Sequence, residues 1–340
     1  LFFCTFAHSI PQMMKLSRIL PLFGLLYIMN ACSTDFDINA SYQEITVVYG
    51  LLDPGADTTY LKINKAFLGE ENAMIMAQIP DSSQFIQKLD VRMWAEDDPE
   101  TLYHFDTITL DNKDSGYFYY PNHILYYHPF KPEENKKYLL RILYNEHEIT
   151  SETSTFKFTE NDINPPGFAL KVGFINDNEP RLTAWTRNEL APRYELTIRF
   201  HFKEIWEGSA DTVYRFIDWH RDYIKAVTGD KVESYYTGSS FYNALATFIP
   251  YKDGTQEAKV ISRFTGNVDF IVDAGGIELN TYMEVNEPSS SIIQDRPEYS
   301  NIENGIGLFS SRARAVKSKG VNDLTLSVIK EDYYWLKFIF

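Results

Sequence analysis

From Ile45 onward the chain is written in short β-rich runs closed by turn signals, and this punctuation restricts the fold more than any other feature. Ile45-Thr46-Val47-Val48-Tyr49-Gly50-Leu51-Leu52 is dense in branched and aromatic residues and stops at Asp53-Pro54-Gly55, where proline fixes one dihedral and glycine frees the next. Residues 59–66 follow in alternation, with Tyr60, Lys62 and Asn64 on one face and Leu61, Ile63 and Lys65 on the other. Alternate side chains of a strand point to opposite faces, so the two runs predict a hairpin. The same style recurs at 89–95, 103–110, 116–120, 124–127, 138–144 and 148–158. Seven or eight such strands predict a sandwich of immunoglobulin or fibronectin type over residues 44–160. Aromatic content agrees, because 24 Phe, 23 Tyr and 5 Trp suit pleated, half-buried surfaces. The one non-β stretch, 69–85, predicts a short helix around 72–78 that ends before Pro80.

Paired prolines in Asn164-Pro165-Pro166-Gly167 stiffen the chain and cannot donate to a ladder, so 161–167 reads as a linker between two domains. Beyond it, 168–340 predicts a second β-rich domain with strands at 168–175, 182–186, 194–205, 213–219 and 267–273. Small helices interrupt it. Ser240 is placed to cap 241–249, where Phe241, Leu245 and Phe248 share a face and Pro250 stops the helix. Leu279, Tyr282, Met283 and Asn286 mark a second helix over 277–287. Gly305-Ile306-Gly307 reads as a strand bend or bulge, and the aromatic end at 333–340 as a final strand. The fold class is therefore mainly β, an Ig/fibronectin-like sandwich followed by a β-rich domain with helical insertions.

Residues 1–32 read as a leader. Translation is expected to begin at Met13 or Met14, leaving 1–12 outside the product. Lys15 and Arg18 form a short basic region, 19–29 is apolar, and Ala31 stands directly before Cys32, the order of a secretory signal peptide. The apolar run is about half of the ~20 residues a spanning helix needs, so no membrane span is expected in the mature chain. Ile28-Met29-Asn30-Ala31-Cys32 resembles a bacterial lipobox, and its looseness at Met29 and Asn30 resembles Bacteroidetes-type lipoboxes. That resemblance implies that Cys32 is acylated and becomes the first mature residue. The alternative is a cysteine beside an ordinary cleavage site. Cys4 lies upstream of the expected start, so Cys32 has no disulfide partner, and acylation accounts for a lone thiol in an oxidising compartment. Each buried CH₂ adds ~0.8 kcal/mol of membrane affinity, so several acyl chains hold firmly where one is marginal. Residues 33–43 read as a polar tether. Ser33 in the second mature position implies sorting to the outer membrane, and Asp35 and Asp37 resemble surface-export signals or are simply solvated.

The net charge of −15 disfavours nucleic acid, whose phosphates need neutralising cations. Chemistry-bearing patterns are few. His104, His123, His128, His147, His201 and His220 fall in no zinc motif, and His147-Glu148 lacks the second histidine of a metalloprotease signature. Asp111-Asn112-Lys113-Asp114-Ser115-Gly116 looks like a calcium loop, but Lys113 stands at a ligand position. Glu96-Asp97-Asp98 reads as a solvated turn. No Gly-x-Ser-x-Gly elbow occurs, and Gly305-Ile306-Gly307 lacks the third glycine of a dinucleotide loop. Tyr117-Phe118-Tyr119-Tyr120 with Tyr126-Tyr127, and Tyr235-Tyr236 with Tyr242, are candidate stacking platforms or core residues. No metal, cofactor or catalytic residue is expected from these patterns.

The lipobox, Val48-Tyr49-Gly50-Leu51-Leu52-Asp53-Pro54-Gly55, Pro165-Pro166-Gly167 and Asn301-Ile302-Glu303-Asn304-Gly305-Ile306-Gly307-Leu308-Phe309 together resemble an uncharacterised lipoprotein family of Bacteroidetes-type bacteria. Members of that family often occur beside TonB-dependent receptors. The resemblance implies an outer-membrane protein on the cell surface or the periplasmic face, noncatalytic, serving as an accessory or ligand-binding component of such a transporter. It carries over no catalytic residues. The alternatives are a stand-alone glycan- or peptide-binding module and a hydrolase with dispersed carboxylates.

Overall fold

A computed structural model describes residues 43–68, 73–165, 170–209, 211–249, 259–287 and 298–339. Residues Glu44–Phe67 and Glu71–Phe340 cluster as one unit. Its first part contributes β1 (Gln43–Leu52), β2 (Thr59–Leu68), the short helices α1 (Ala73–Met76) and α2 (Pro80–Ser83), β3 (Asp90–Ala95), β4 (Asp98–His104), β5 (Asp106–Leu110), β6 (His123–His128), β7 (Lys137–Tyr144) and β8 (His147–Ser154). A 3₁₀ turn leads to β9 (Ile163–Asn164), β10 (Lys171–Val172), β11 (Pro180–Thr186), β12 (Arg193–Trp206), β13 (Thr212–His220), β14 (Ile224–Lys225) and β15 (Lys231–Thr237). Then come α3 (Gly238–Phe248), β16 (Val260–Gly275), α4 (Ile277–Asn286), β17 (Ile306–Val321), α5 (Asp323–Asp332) and β18 (Phe338–Ile339). The protein is mainly β. Among the described residues no helix is long and apolar enough to cross a membrane.

The described strands form three sheets. The largest runs β13-β12-β16-β17-β1-β2-β6-β5, with β10, β14 and β18 attached to its path. Smaller sheets run β4-β3-β7-β8 and β15-β11-β9. The β1–β2 hairpin forms as its alternation predicts, and its turn closes by Ala56 N–H donating to the Asp53 carbonyl at 3.0 Å. Two apolar cores follow from this layout. Val48 and Leu61 from the large sheet meet Met93, Leu140 and Ile142 from the β4-β3-β7-β8 sheet in one of them. The other buries Trp185, Tyr194, Phe200, Phe270 and Phe241, with the Phe174 and Phe241 rings stacked 3.7 Å apart.

β17 joins both cores. Its first residues run parallel to β1, from Val47↔Ile306 to Leu52↔Ser311, and its later ones antiparallel to β16. Gly307 makes the close approach possible. Its φ is +125°, and a Cβ there would stand 2.0 Å from the Val48 carbonyl oxygen. Asn301 holds the adjoining turn, its Nδ2 donating to Phe309 O at 2.6 Å and its Oδ1 accepting from Phe309 N–H at 3.0 Å.

Several elements differ from expectation. Residues 103–110 are two strands in different sheets, because Phe105 turns its ring into the core between β4 and β5. Residues 116–120 form no strand, and Tyr119 N–H instead donates to Ala77 O at 2.8 Å. The helix expected at 241–249 begins three residues earlier. Thr237 is its cap and Ser240 sits at the third helical position, where the two side chains bond each other's backbone N–H. Strand β10 covers only two residues of the strand expected at 168–175. The terminal 333–340 stretch is not one strand, since a 3₁₀ turn at Tyr334–Leu336 leads into the two residues of β18, which lie parallel to β16. The linker segment keeps Ile163 and Asn164 in β9, paired with β11, while Pro166 and Gly167 lie outside the described residues.

Candidate functional site

Cys32, the leader and tether residues 33–42 lie outside the described residues. The aromatic clusters separate into core and surface. Tyr126, Tyr236 and Tyr242 are buried, and burial pushes the Tyr236 and Tyr242 phenols up to about 12. Tyr242 donates to the Phe174 carbonyl, and Tyr126 accepts from Leu89 N–H. Tyr117, Phe118, Tyr120 and Tyr235 stay exposed.

The other sequence patterns resolve into local structure. Lys113 donates to Tyr119 O at 2.6 Å, closing the loop in which it stands. His128 bonds the His104 carbonyl, while His123, five residues earlier on β6, falls on the opposite face. Among the described residues no group of three or more His, Cys, Asp or Glu converges as a metal site. Asp97 pairs with Lys136, and Lys137 bridges Glu96 and Glu152, so two of the three acids of that turn are ion-paired in place.

A better candidate lies on the open face of the large sheet. Alternation along β12 sends Tyr194, Leu196, Ile198, Phe200 and Phe202 inward and leaves Arg193, Glu195, Arg199, His201 and Lys203 on the opposite face. Cross-strand neighbours complete a lattice of opposite charges. Arg199 reaches Asp218 through two hydrogen bonds of 2.7 and 2.8 Å, and Arg314 reaches Asp273 at 2.6 and 2.8 Å. Arg312 meets Asp53 at 3.1 Å, and His201 Nε2 meets Asp269 at 2.7 Å. The Arg199 guanidinium holds the Asp218 carboxyl below the usual carboxylate range, and Asp218 in turn raises Arg199.

A cleft of about 490 Å³ opens on this face beside His201, Lys203, Tyr214, Phe216, Asn267 and Asp269. Its cause is local. The β12–β16 register shifts between Phe200 and Phe202, and Gly266 packs so tightly there that a Cβ would lie 2.9 Å from His201 Cβ. Tyr214 and Phe216, 73% and 53% exposed, form the aromatic wall on β13. Lys203 and Arg199 sit over them, 4.8 and 4.1 Å from the respective ring centroids.

The cleft brings His201, Asp269 and Ser318 together, the residue types of a nucleophilic triad. Strand order arranges them otherwise. β16 lies between β12 and β17, so Asp269 separates His201 from Ser318 instead of orienting the histidine behind it. In the neighbouring cleft, Glu195 and Asp273 are register partners, but Glu195 faces His220 while Asp273 is paired with Arg314. The face therefore offers aromatic edges, hydrogen-bonding groups and locally balanced charge, the equipment of a binding surface. No protein-family model matches the chain, and no curated protein matches its sequence.

Proposed function

We propose that this chain is an outer-membrane lipoprotein, anchored through acyl chains on Cys32, that works without catalysis as an accessory or ligand-binding component beside a TonB-dependent transporter. The body lies on the cell surface or the periplasmic face, and residues 44–160 form its immunoglobulin- or fibronectin-like part. The anchor is supported by the Met29-Asn30-Ala31-Cys32 sequence and its basic, apolar leader. The binding role is carried by one observation, the open sheet face on which Tyr214 and Phe216 stand beside cross-strand ion pairs, Arg199 with Asp218 and Arg314 with Asp273. Paired charges spare a ligand the opposition of an acidic surface, and exposed rings give it contact area at small entropic cost.

A photoreactive residue in place of Tyr214, illuminated in intact cells, tests the partner. Capture of an outer-membrane transporter is the expected result. Cells in which Cys32 carries palmitate but no transporter is captured would refute the accessory role. Exposed aromatics two residues apart also favour the stand-alone glycan- or peptide-binding module, for which a Tyr214→Ala/Phe216→Ala variant should lose up to about tenfold in affinity. Flat binding by the unaltered protein across glycan and peptide arrays would remove that reading.

A further inference from the structure

We infer that the end of the fold from which β1 starts is a docking tip for the lipid surface, resting on the bilayer when Cys32 is acylated. The inference rests on the lipid anchorage proposed above and adds which part of the protein meets the membrane. Strand pairing defines that end. β6 runs antiparallel to β2, with Thr59↔His128 and Leu61↔Tyr126, so His123 starts near the close of β2. Leu110↔His123 places the β5–β6 loop, 111–122, over the same end, and the Asn64↔Gln84 bridge brings α2 there.

Hydrogen bonds stitch this loop to the helical segment. Tyr119 N–H donates to Ala77 O at 2.8 Å, Gln78 Nε2 to Tyr117 O at 3.0 Å, and Gln84 Nε2 to Asn122 O at 3.4 Å. Met74, Ile75, Ile79, Tyr117, Phe118 and Tyr120 are thereby gathered on one tip, each between 42% and 71% exposed. Soluble proteins rarely leave such a group uncovered, and aliphatic residues mixed with tyrosine match the chemistry of a membrane–water interface.

Charge and chain length favour lipid as the occupant. In a chain of net −15, this end collects Lys62, Lys113 and His123; burial lowers His123 and Lys62, and the nearby lysines lower them further, Lys62 and Lys113 acting on the histidine and Lys113 on Lys62. Asp81, Asp111 and Asp114 stand in the same segments, so the tip is near balance where the body is acidic. An interfacial tip meets lipid phosphates with Lys62 and Lys113. The ten residues from Ser33 to Tyr42 span at most about 35 Å. A lipid on Cys32 thus keeps the start of β1 within reach of the bilayer.

The test uses the full acylated protein in phosphatidylethanolamine vesicles containing some phosphatidylglycerol, with a polarity-sensitive dye on F118C or, as control, Y214C. Doxyl lipids should quench the Phe118 probe at least about twofold more than the Tyr214 probe, with a blue shift at Phe118 alone. Equal, water-like emission from both on floating vesicles would overturn the tip while leaving the anchor standing. Protein that does not float at all would overturn the anchor and the tip with it. A Phe118 probe shielded before vesicles are added would show that a second copy covers the tip, which also overturns the proposal.

Discussion

Arg263 and Glu204 meet across β16 and β12 at 2.9 Å with side chains only 0% and 7% exposed. Arg263 also donates to the Leu336 carbonyl at 2.8 Å, and Arg215 approaches the other Glu204 oxygen at 3.4 Å. Burying a charge is tolerable only while it stays paired and hydrogen-bonded. Removing one partner leaves the other stranded, so Arg263→Ala or Glu204→Ala should lower unfolding free energy by about 3–5 kcal/mol in urea titrations. Losses below about 1 kcal/mol, the range of exposed pairs, would contradict that burial. Asp218 supplies the pH dependence. Arg199 keeps its folded carboxyl ionised at pH values where the unfolded chain, titrating near pH 4, takes up a proton. The unfolded state then binds more protons, so the pair's contribution is complete above about pH 4 and fades as pH falls through the depressed folded value. Asp218→Asn should flatten the acid limb of a stability-versus-pH curve, and an unchanged slope would deny the pairing.

Strand β17 depends on Asn301, whose amide bonds both backbone groups of Phe309 and donates to Glu152 O at 3.3 Å. Asn301→Ala strands those groups, at about 1–3 kcal/mol for each that stays buried and unpaired. Amide exchange should then speed up first at Leu308–Ser311 and along β1, while β12 keeps its protection; uniform acceleration would argue against a local clamp. Long apolar alternation made β12 and the β1–β2 hairpin legible from sequence. β17 was hidden for the opposite reason. Between Phe309 and Val321 its inward positions Ser311, Ala313 and Ala315 are too small to announce a buried face, and its entry is glycine-rich. β13 was expected at 213–219, but aromatics occur at both Phe216 and Trp219, so the exposed side could not be chosen. Only pairing with β12 turns Ile217 and Trp219 inward and leaves Tyr214 and Phe216 beside the cleft. Ser240 likewise looked like a cap because the competing Thr237 stands one turn earlier, at the end of β15, a strand the sequence did not announce.

At the scale of the whole molecule, the two cores share β17, and the aromatic sheet face and the apolar tip occupy separate regions of one unit. The cleavage proposed above would take away Lys15 and Arg18 and no acid, leaving a body more acidic than the full chain. Such a body has little general attraction to anionic lipid, which puts the weight of membrane attachment on a covalent anchor. Mass spectrometry of the N-terminal peptide from detergent-extracted protein tests that claim most directly. The predicted species starts at Cys32 and carries diacylglycerol on its sulfur, with that mass lost in Cys32→Ser. An unmodified N-terminus on protein shed freely into the medium would contradict it.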